Sequence, residues 1–495
     1  MPRPAGSPDS ARKAGILLHP TSLPSPDLGS EGLRFIDFLV EAGQSLWQML
    51  PVGPTDAHNS PYAARSAFAG DPMLISAEWL ASSGLLAAVP PPPPAHTPPH
   101  MVDFPARRAH QEKILREAYG RFAAAGRMGH LDAFEAAHPW LRTYALFAAL
   151  RDRTGEPWWH WKEEHAHPEC IAVPDGSPLQ AEVDFQRFLQ FVFDDQWRRL
   201  KEYAGERGIQ LWGDLPIFVD RDSADVWANP HLYKLDGQGN PISVSGVPPD
   251  AFSETGQRWG NPVYDWDAHA REGYRWWVER LRTAFDRFDA VRIDHFRGFE
   301  AAWEIPAGDE TAMGGRWVPG PGARLFEVLA AELGALPIVV EDLGIITDEV
   351  RGLRDTLGYP GMAVLQFAFE GGGGNPYLPR NQVENSVVFT GTHDNDTTLG
   401  WWESLPESHR HVVRTELGID GSDIVDDLVR TAYRSSARTA IIPMQDVLKL
   451  GGEARMNQPA RIDGNWGWRF DWEQIPPGRS AWLRSLAMEC GRLPA

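Results

Sequence analysis

Ala290-Val-Arg-Ile-Asp294, followed at once by His295, is a short apolar run that ends in a carboxylate. Apolar residues sit at odd and even positions alike, as in a strand buried on both faces. Seven further runs share this form: Gly15-Ile-Leu-Leu-His19, Ser45-Leu-Trp-Gln-Met-Leu-Pro51, Gln210-Leu-Trp-Gly-Asp-Leu-Pro216, Ile338-Val-Val-Glu341, Met362-Ala-Val-Leu-Gln-Phe367, Val387-Val-Phe-Thr390 and Ala440-Ile-Ile-Pro-Met444. Segments of helical period lie between them, such as Trp276 to Asp286 and Gly322 to Leu333. Eight strand-then-helix units predict an α/β fold, a (β/α)8 TIM barrel, with functional residues at the carboxyl ends of the strands.

The spacing is uneven, so helical and loop-rich insertions are expected between strands. Residues 1–69 hold barrel strands one and two, and 206–220 hold strand three. Between them, 70–205 reads as a mostly helical insertion, with helices from Arg107 to Ala125 and from Leu131 to Arg151. Pro90-Pro-Pro-Pro-Pro94 punctuates it as stiff, extended chain. Residues 221–266, rich in Gly, Pro, Asn and Trp, read as a loop-rich insertion over the catalytic face. Residues 267–495 complete the barrel with strands four to eight.

Composition narrows the function. The 495 residues are 42% hydrophobic and carry a net charge of −20. Such a chain buries a core and repels phosphate backbones, so no nucleic-acid partner is expected. No stretch has the apolar length of a membrane span, and the first residues lack the apolar core of a signal peptide, which makes the cytoplasm the expected location. Two cysteines, 170 and 490, exclude a disulfide framework and a cysteine metal site. His160, His165 and His167 beside Glu163 and Glu164 lack the HExxH spacing and read as a solvated segment. Gly371 to Gly374 precedes no Lys-Ser/Thr pair and is not a phosphate loop. The 21 tryptophans are compatible with sugar platforms or with plain core packing.

Three carboxylates stand at or just after strand ends: Asp294, Glu341 and Asp394, the last in Gly391-Thr-His-Asp-Asn-Asp396. A lone strand-end Asp is commonly a helix N-cap. Three converging on one barrel mouth suit glycosyl transfer with retention, which needs a nucleophilic carboxylate and an acid/base carboxyl about 5–5.5 Å apart. Arg292 lies two residues before Asp294, on the same strand face, where it can hold the nucleophile ionised. His295 and His393 flank the carboxylates as donors to sugar hydroxyls, and Asp214 at the end of strand three can organise the site.

Long motifs carry a family resemblance. They are Gly15 to Pro24, Asn59-Ser-Pro-Tyr62, Gly246-Val-Pro-Pro-Asp250, Thr255-Gly-Gln-Arg-Trp-Gly-Asn-Pro262, Arg292 to Gly298, Val340 to Gly344, Gly391 to Asp396, Arg455-Met-Asn457 and Gly464 to Arg469. With them the chain resembles the amylomaltases or disproportionating enzymes, 4-α-glucanotransferases of glycoside hydrolase family 77 in the α-amylase clan. The resemblance implies Asp294 as nucleophile, Glu341 as general acid/base and Asp394 as transition-state stabiliser. It implies Arg292, His295, His393 and Asp214 around the donor sugar, and Tyr62, Trp259 and Asn457 as further sugar contacts. It implies an acceptor loop with Pro249, Asp250 and Phe252, and neither metal nor organic cofactor. Its substrates are maltooligosaccharides and amylose-like α-1,4-glucans, with glucose as an acceptor. Three positions depart from the family: Ala251 and Ala57, where members often carry Tyr, and Ala460, where Gly is usual.

Overall fold

A computed structural model of the chain describes residues 11–494 other than Ala95, Ala166, 250–252, Ala460 and Ile462. The eight apolar runs are the eight strands of one parallel sheet: β1 (Lys13–Leu17), β2 (Leu46–Gln48), β3 (Gln210–Pro216), β4 (Ala290–Asp294), β5 (Ile338–Val340), β6 (Gly361–Val364), β7 (Ser386–Phe389) and β8 (Thr439–Pro443). Their spatial order is β6-β7-β8-β1-β2-β3-β4-β5. The Val340 N–H donates to the Pro360 carbonyl at 3.0 Å, which brings the two ends of that order together and closes the barrel. At Gly15 a Cβ would fall 2.7 Å from the Leu46 carbonyl oxygen, so the glycine permits the close approach of β1 and β2.

Register places the chemistry. Asp214 on β3 lies opposite Arg292 on β4, and Pro216 lies opposite Asp294. Ile293 pairs with Val340, so Glu341 emerges one step beyond the end of β5, beside Asp294. The amphipathic helix Arg275–Arg287 precedes β4 and buries Trp276, Trp277 and Leu281.

The stretch expected as one helix from Leu131 to Arg151 is two, Gly129–Ala137 and Trp140–Thr154. Pro139 causes the break: it has no N–H to donate and excludes helical geometry at the residue before it, where His138 has φ −128° and ψ 79°. A 29-residue helix, Pro178–Glu206, starts from a Ser177 cap and ends just before β3. Its Trp197 indole donates to the Arg287 carbonyl at 3.0 Å, which ties it to the helix feeding β4.

The chain after β3 is more ordered than a loop. Gln257–Pro262, Ser243–Val247, Ala301–Pro306 and Arg316–Pro319 form a four-stranded antiparallel sheet in that order. The tryptophans are mainly core: Trp47, Trp227 and Trp277 are at most 1% exposed, whereas Trp259 is 40% exposed. At the opposite end of the chain Arg492 is fully buried. Its guanidinium donates to the carbonyls of Lys13, Tyr433, Ser435, Ala437 and Arg438, pinning the C-terminus beneath β1 and β8.

Candidate active site

One buried guanidinium organises the mouth of the barrel. Arg292, on β4, donates through Nη1 to Asp214 Oδ2 at 2.6 Å and pairs through Nη2 with Asp294 Oδ1 at 2.8 Å. Its Nε–H faces the Met362 sulfur at 3.4 Å. The Tyr62 hydroxyl donates to the same Asp214 Oδ2 at 2.9 Å, while Asp214 Oδ1 is buried without a partner. A planar fork thus holds two carboxylates at fixed separation, on the alternation that puts Arg292 and Asp294 on one face.

Beyond Asp294 the backbone turns sharply. His295 adopts the left-handed conformation, with φ 53° and ψ 48°. That geometry is uncommon for a residue with a Cβ; the His295 N–H, oriented by the peptide it shares with Asp294, donates to Glu341 Oε2 at 2.8 Å. The Leu343 N–H donates to the other oxygen, Oε1, at 2.8 Å. Glu341 is therefore held by two backbone donors beside Asp294. Its neighbour Asp342 faces the other way and takes the Met362 N–H and the Arg354 guanidinium, at 2.7 and 2.6 Å.

The loop after β7 supplies the opposite wall. The Asn457 side-chain amide donates to Asp394 Oδ1 at 2.6 Å, and His393 Nε2 lies 3.3 Å from Asp394 Oδ2. Arg455 donates to the Asp394 carbonyl at 2.6 Å and holds the Asn457 carbonyl at the same distance. Tyr62 stacks on His393 with ring centres 5.1 Å apart and planes 16° from parallel. Trp259 stands edge-on to His295 at 4.7 Å.

Burial dominates the electrostatics. It raises the Asp294 carboxyl, helped by the charges of Asp214, Glu341 and Asp394 and opposed by Arg292. It raises Glu341 as well, against Arg292 and the two backbone donors. The same burial pushes His295 down to about 3 and lowers His393, so both imidazoles are neutral near pH 7. Among the described residues the mouth therefore presents several carboxyl groups served by a single buried cation, Arg292. This is an arrangement in which one carboxyl stays charged beside the guanidinium and another readily carries a proton. Among the described residues no group of three His, Cys, Asp or Glu side chains is placed to hold a metal ion.

Tyr62, Asp214, Trp259, Arg292, Asp294, His295, Glu341, His393, Asp394 and Asn457 are thus linked through direct contacts at one end of the barrel. Pro249 is exposed. Asp250, Ala251 and Phe252 lie outside the described residues, as does Ala460.

Three neighbours escaped the sequence reading. His19 follows β1 and is 6% exposed, with Nδ1 unpartnered; burial and His393 push it down to about 3. Trp466 sits 5.9 Å from Tyr62 and 6.1 Å from His393. Its φ of 68° turns the ring inward, a feature no local pattern announces. Met362 reads as ordinary strand core, and only pairing of β4 through β5 toward β6 brings its sulfur to Arg292.

Comparison with known proteins agrees with this geometry. Residues 18–474 match a family model, Glyco_hydro_77, described as 4-alpha-glucanotransferase. The chain is 46% identical to a 4-alpha-glucanotransferase of Thermus thermophilus, over 97% of this chain and 99% of that one. It is 45% identical to one from Synechocystis, over 97% and 98%. The amylomaltase of Streptococcus agalactiae, solved in complex with acarbose, superposes with a TM-score of 0.91 at 34% identity, covering 98% of this chain and all of that one. With a barrel of this topology, a mouth of this composition and relatives matched end to end, the chain belongs to the 4-alpha-glucanotransferase family, glycoside hydrolase family 77.

Proposed function

We propose that this 4-alpha-glucanotransferase works by double displacement with Asp294 as nucleophile, Glu341 as general acid and base, and Asp394 as transition-state stabiliser. The observation that carries the assignment is the Arg292 fork, 2.8 Å from Asp294 Oδ1. It opposes the burial that raises the Asp294 carboxyl to about 8, works toward the ionised form, and leaves Oδ2 for the anomeric carbon. Glu341 accepts hydrogen bonds from two backbone N–H groups, and burial raises its carboxyl against them and against the more distant Arg292, the direction a general acid needs.

In the first step Asp294 Oδ2 bonds to C1 of the donor glucosyl unit. The C1–O4 bond breaks as Glu341 gives its proton to O4, and the shortened glucan leaves. In the second step Glu341 takes the proton of an acceptor 4-hydroxyl. That oxygen bonds to C1, Asp294 departs as carboxylate, and the α-configuration is retained. Asp394 is 46% exposed at its side chain and steadied by Asn457 and His393, so it is free to accept from sugar hydroxyls as charge develops at C1. The stacked Tyr62 and His393, with Trp259 across the mouth, offer faces and edges to pyranose rings.

The substrates are α-1,4-glucans. Maltooligosaccharides and amylose-like chains serve as donors, and glucose or another glucan serves as acceptor. The test is product analysis with maltotriose alone. Glucose plus a ladder of longer maltooligosaccharides at constant reducing-end count is the expected result. Rising reducing ends with nothing longer than maltotriose would make water the acceptor and refute transfer.

A further inference from the structure

The segment Thr390 to Thr398 leaves β7 and carries both His393 and Asp394. Both of its ends are tied to one side chain that faces no sugar. Asp446 is 1% exposed and lies in the single helical turn Met444–Val447 that follows β8. Its Oδ2 accepts from the Thr390 hydroxyl at 2.6 Å and from the Thr398 hydroxyl at 2.7 Å. Its Oδ1 accepts the Thr398 backbone N–H at 2.9 Å. The anchor is itself held: Arg479 donates to the Asp446 carbonyl at 3.2 Å and to the Val447 carbonyl at 2.9 Å.

The same turn reaches the other side of Asp394. The Gln445 amide donates to the Ala454 carbonyl at 3.2 Å. Ala454 immediately precedes the segment Arg455-Met456-Asn457, in which the Arg455 and Asn457 side chains grip the Asp394 main chain and carboxylate. A space-filling apolar residue at 446 could plug the core equally well. The Asp446 carboxylate takes three donors, one of them a backbone N–H that cannot turn away, which an apolar residue could not do.

We propose that Asp446 is a positioning residue of the transfer reaction: by clamping Thr390 and Thr398 it sets the aim of Asp394 into the barrel mouth. This rests on the reading of Asp394 as transition-state stabiliser. Misplacing a reacting group by about 1 Å costs about 10²-fold in rate, so a loosened clamp is felt in turnover before it is felt in binding.

The experiment uses the full-length protein with maltosyl fluoride as donor, so that weakened variants remain measurable, at a temperature where circular dichroism shows each variant folded. Asp446→Ala is expected to lower kcat by about 10²-fold with donor KM nearly unchanged. Asp446→Asn keeps Oδ1 for the Thr398 N–H and offers an amide to hydroxyls that can rotate to accept, so it is expected to recover most of the loss. Thr390→Val, nearly equal in shape, keeps the test open should Asp446→Ala not fold. It is expected to lower kcat in the native background and to have no further effect in an Asp394→Ala background, because both changes act through one group. Native kcat in folded Asp446→Ala, or a Thr390→Val loss that multiplies undiminished onto Asp394→Ala, overturns the proposal. Native kcat in Asp394→Ala alone overturns the stabiliser reading instead.

Discussion

Replacing Asp214 by Asn tests the electrostatics of the mouth with little steric disturbance. Asp214 Oδ2 takes both the Arg292 and the Tyr62 donors, whereas Oδ1 has no partner. An asparagine that places its oxygen at the Oδ2 position keeps both bonds, removes the charge and sets its amide nitrogen at the partnerless Oδ1 position. Asp214 and Asp294 sit on opposite nitrogens of one guanidinium, at 2.6 and 2.8 Å. The two charges are taken as about 6 Å apart for an order-of-magnitude figure. At an effective dielectric of about 20, two unit charges so placed repel by about 3 kcal/mol, equivalent to about two pH units. The Asp214 charge raises the Asp294 carboxyl, so its removal lowers it, and Asp294 remains ionised to lower pH. The acid limb of the kcat/KM profile, which reports the free enzyme, is therefore expected to move down by about one to two pH units in Asp214→Asn. The assay is initial glucose release from maltotriose across the acid and neutral range. A limb that stays in place, or moves up, refutes the assignment of that limb to Asp294 beside a charged Asp214.

Two further predictions concern proton transfer and the fold. Glu341→Gln is expected to slow maltotriose turnover by about 10²–10⁴-fold. It should spare formation of the glucosyl-enzyme from a glycosyl fluoride, whose leaving group needs no proton; an equal loss on both donors refutes the acid role. Arg492→Met leaves five carbonyls without their shared donor, and at about 1 kcal/mol net per bond is expected to cost roughly 3–5 kcal/mol. With an unfolding entropy of about 2.1 cal/mol/K per residue over 495 residues, that lowers Tm by about 3–5 °C. Differential scanning fluorimetry reads it, and kcat at room temperature should not change.

The barrel strands were legible because each is a short run buried on both faces, and burial of that kind leaves a mark in composition alone. The antiparallel sheet beside them was not. Its strand Gln257–Pro262 holds Gly260 and exposed Arg258 and Trp259, so it carries neither alternation nor apolar continuity. It exists because Ser243–Val247 pairs with it on one side and with Ala301–Pro306 on the other. Nor was the division of the stretch from Leu131 to Arg151 legible from periodicity, since the helical period runs on through it; Pro139 alone marks the break. The catalytic candidates were legible because charge at the end of an apolar strand is conspicuous. Asp446 was not, because its partners are 48 and 56 residues away and meet it only once the barrel has closed.

The adjacent carboxylates Glu341 and Asp342 show how the fold divides labour among like residues. Both follow β5, and neither is distinguished by composition. Alternation along the chain sends them to opposite sides. Asp342 turns into the wall, where the Met362 N–H and Arg354 satisfy both its oxygens, and it fastens β5 to β6. Glu341 turns into the mouth, where His295 and Leu343 supply backbone donors and, among the described residues, no cation comes within bonding distance. At Asp342 and Asp294 a guanidinium opposes the burial that raises each carboxyl, and so works toward the charged form that a structural post or a nucleophile uses. Glu341 has only neutral donors within bonding distance, and burial raises its carboxyl, the direction that the proposed acid and base role calls for.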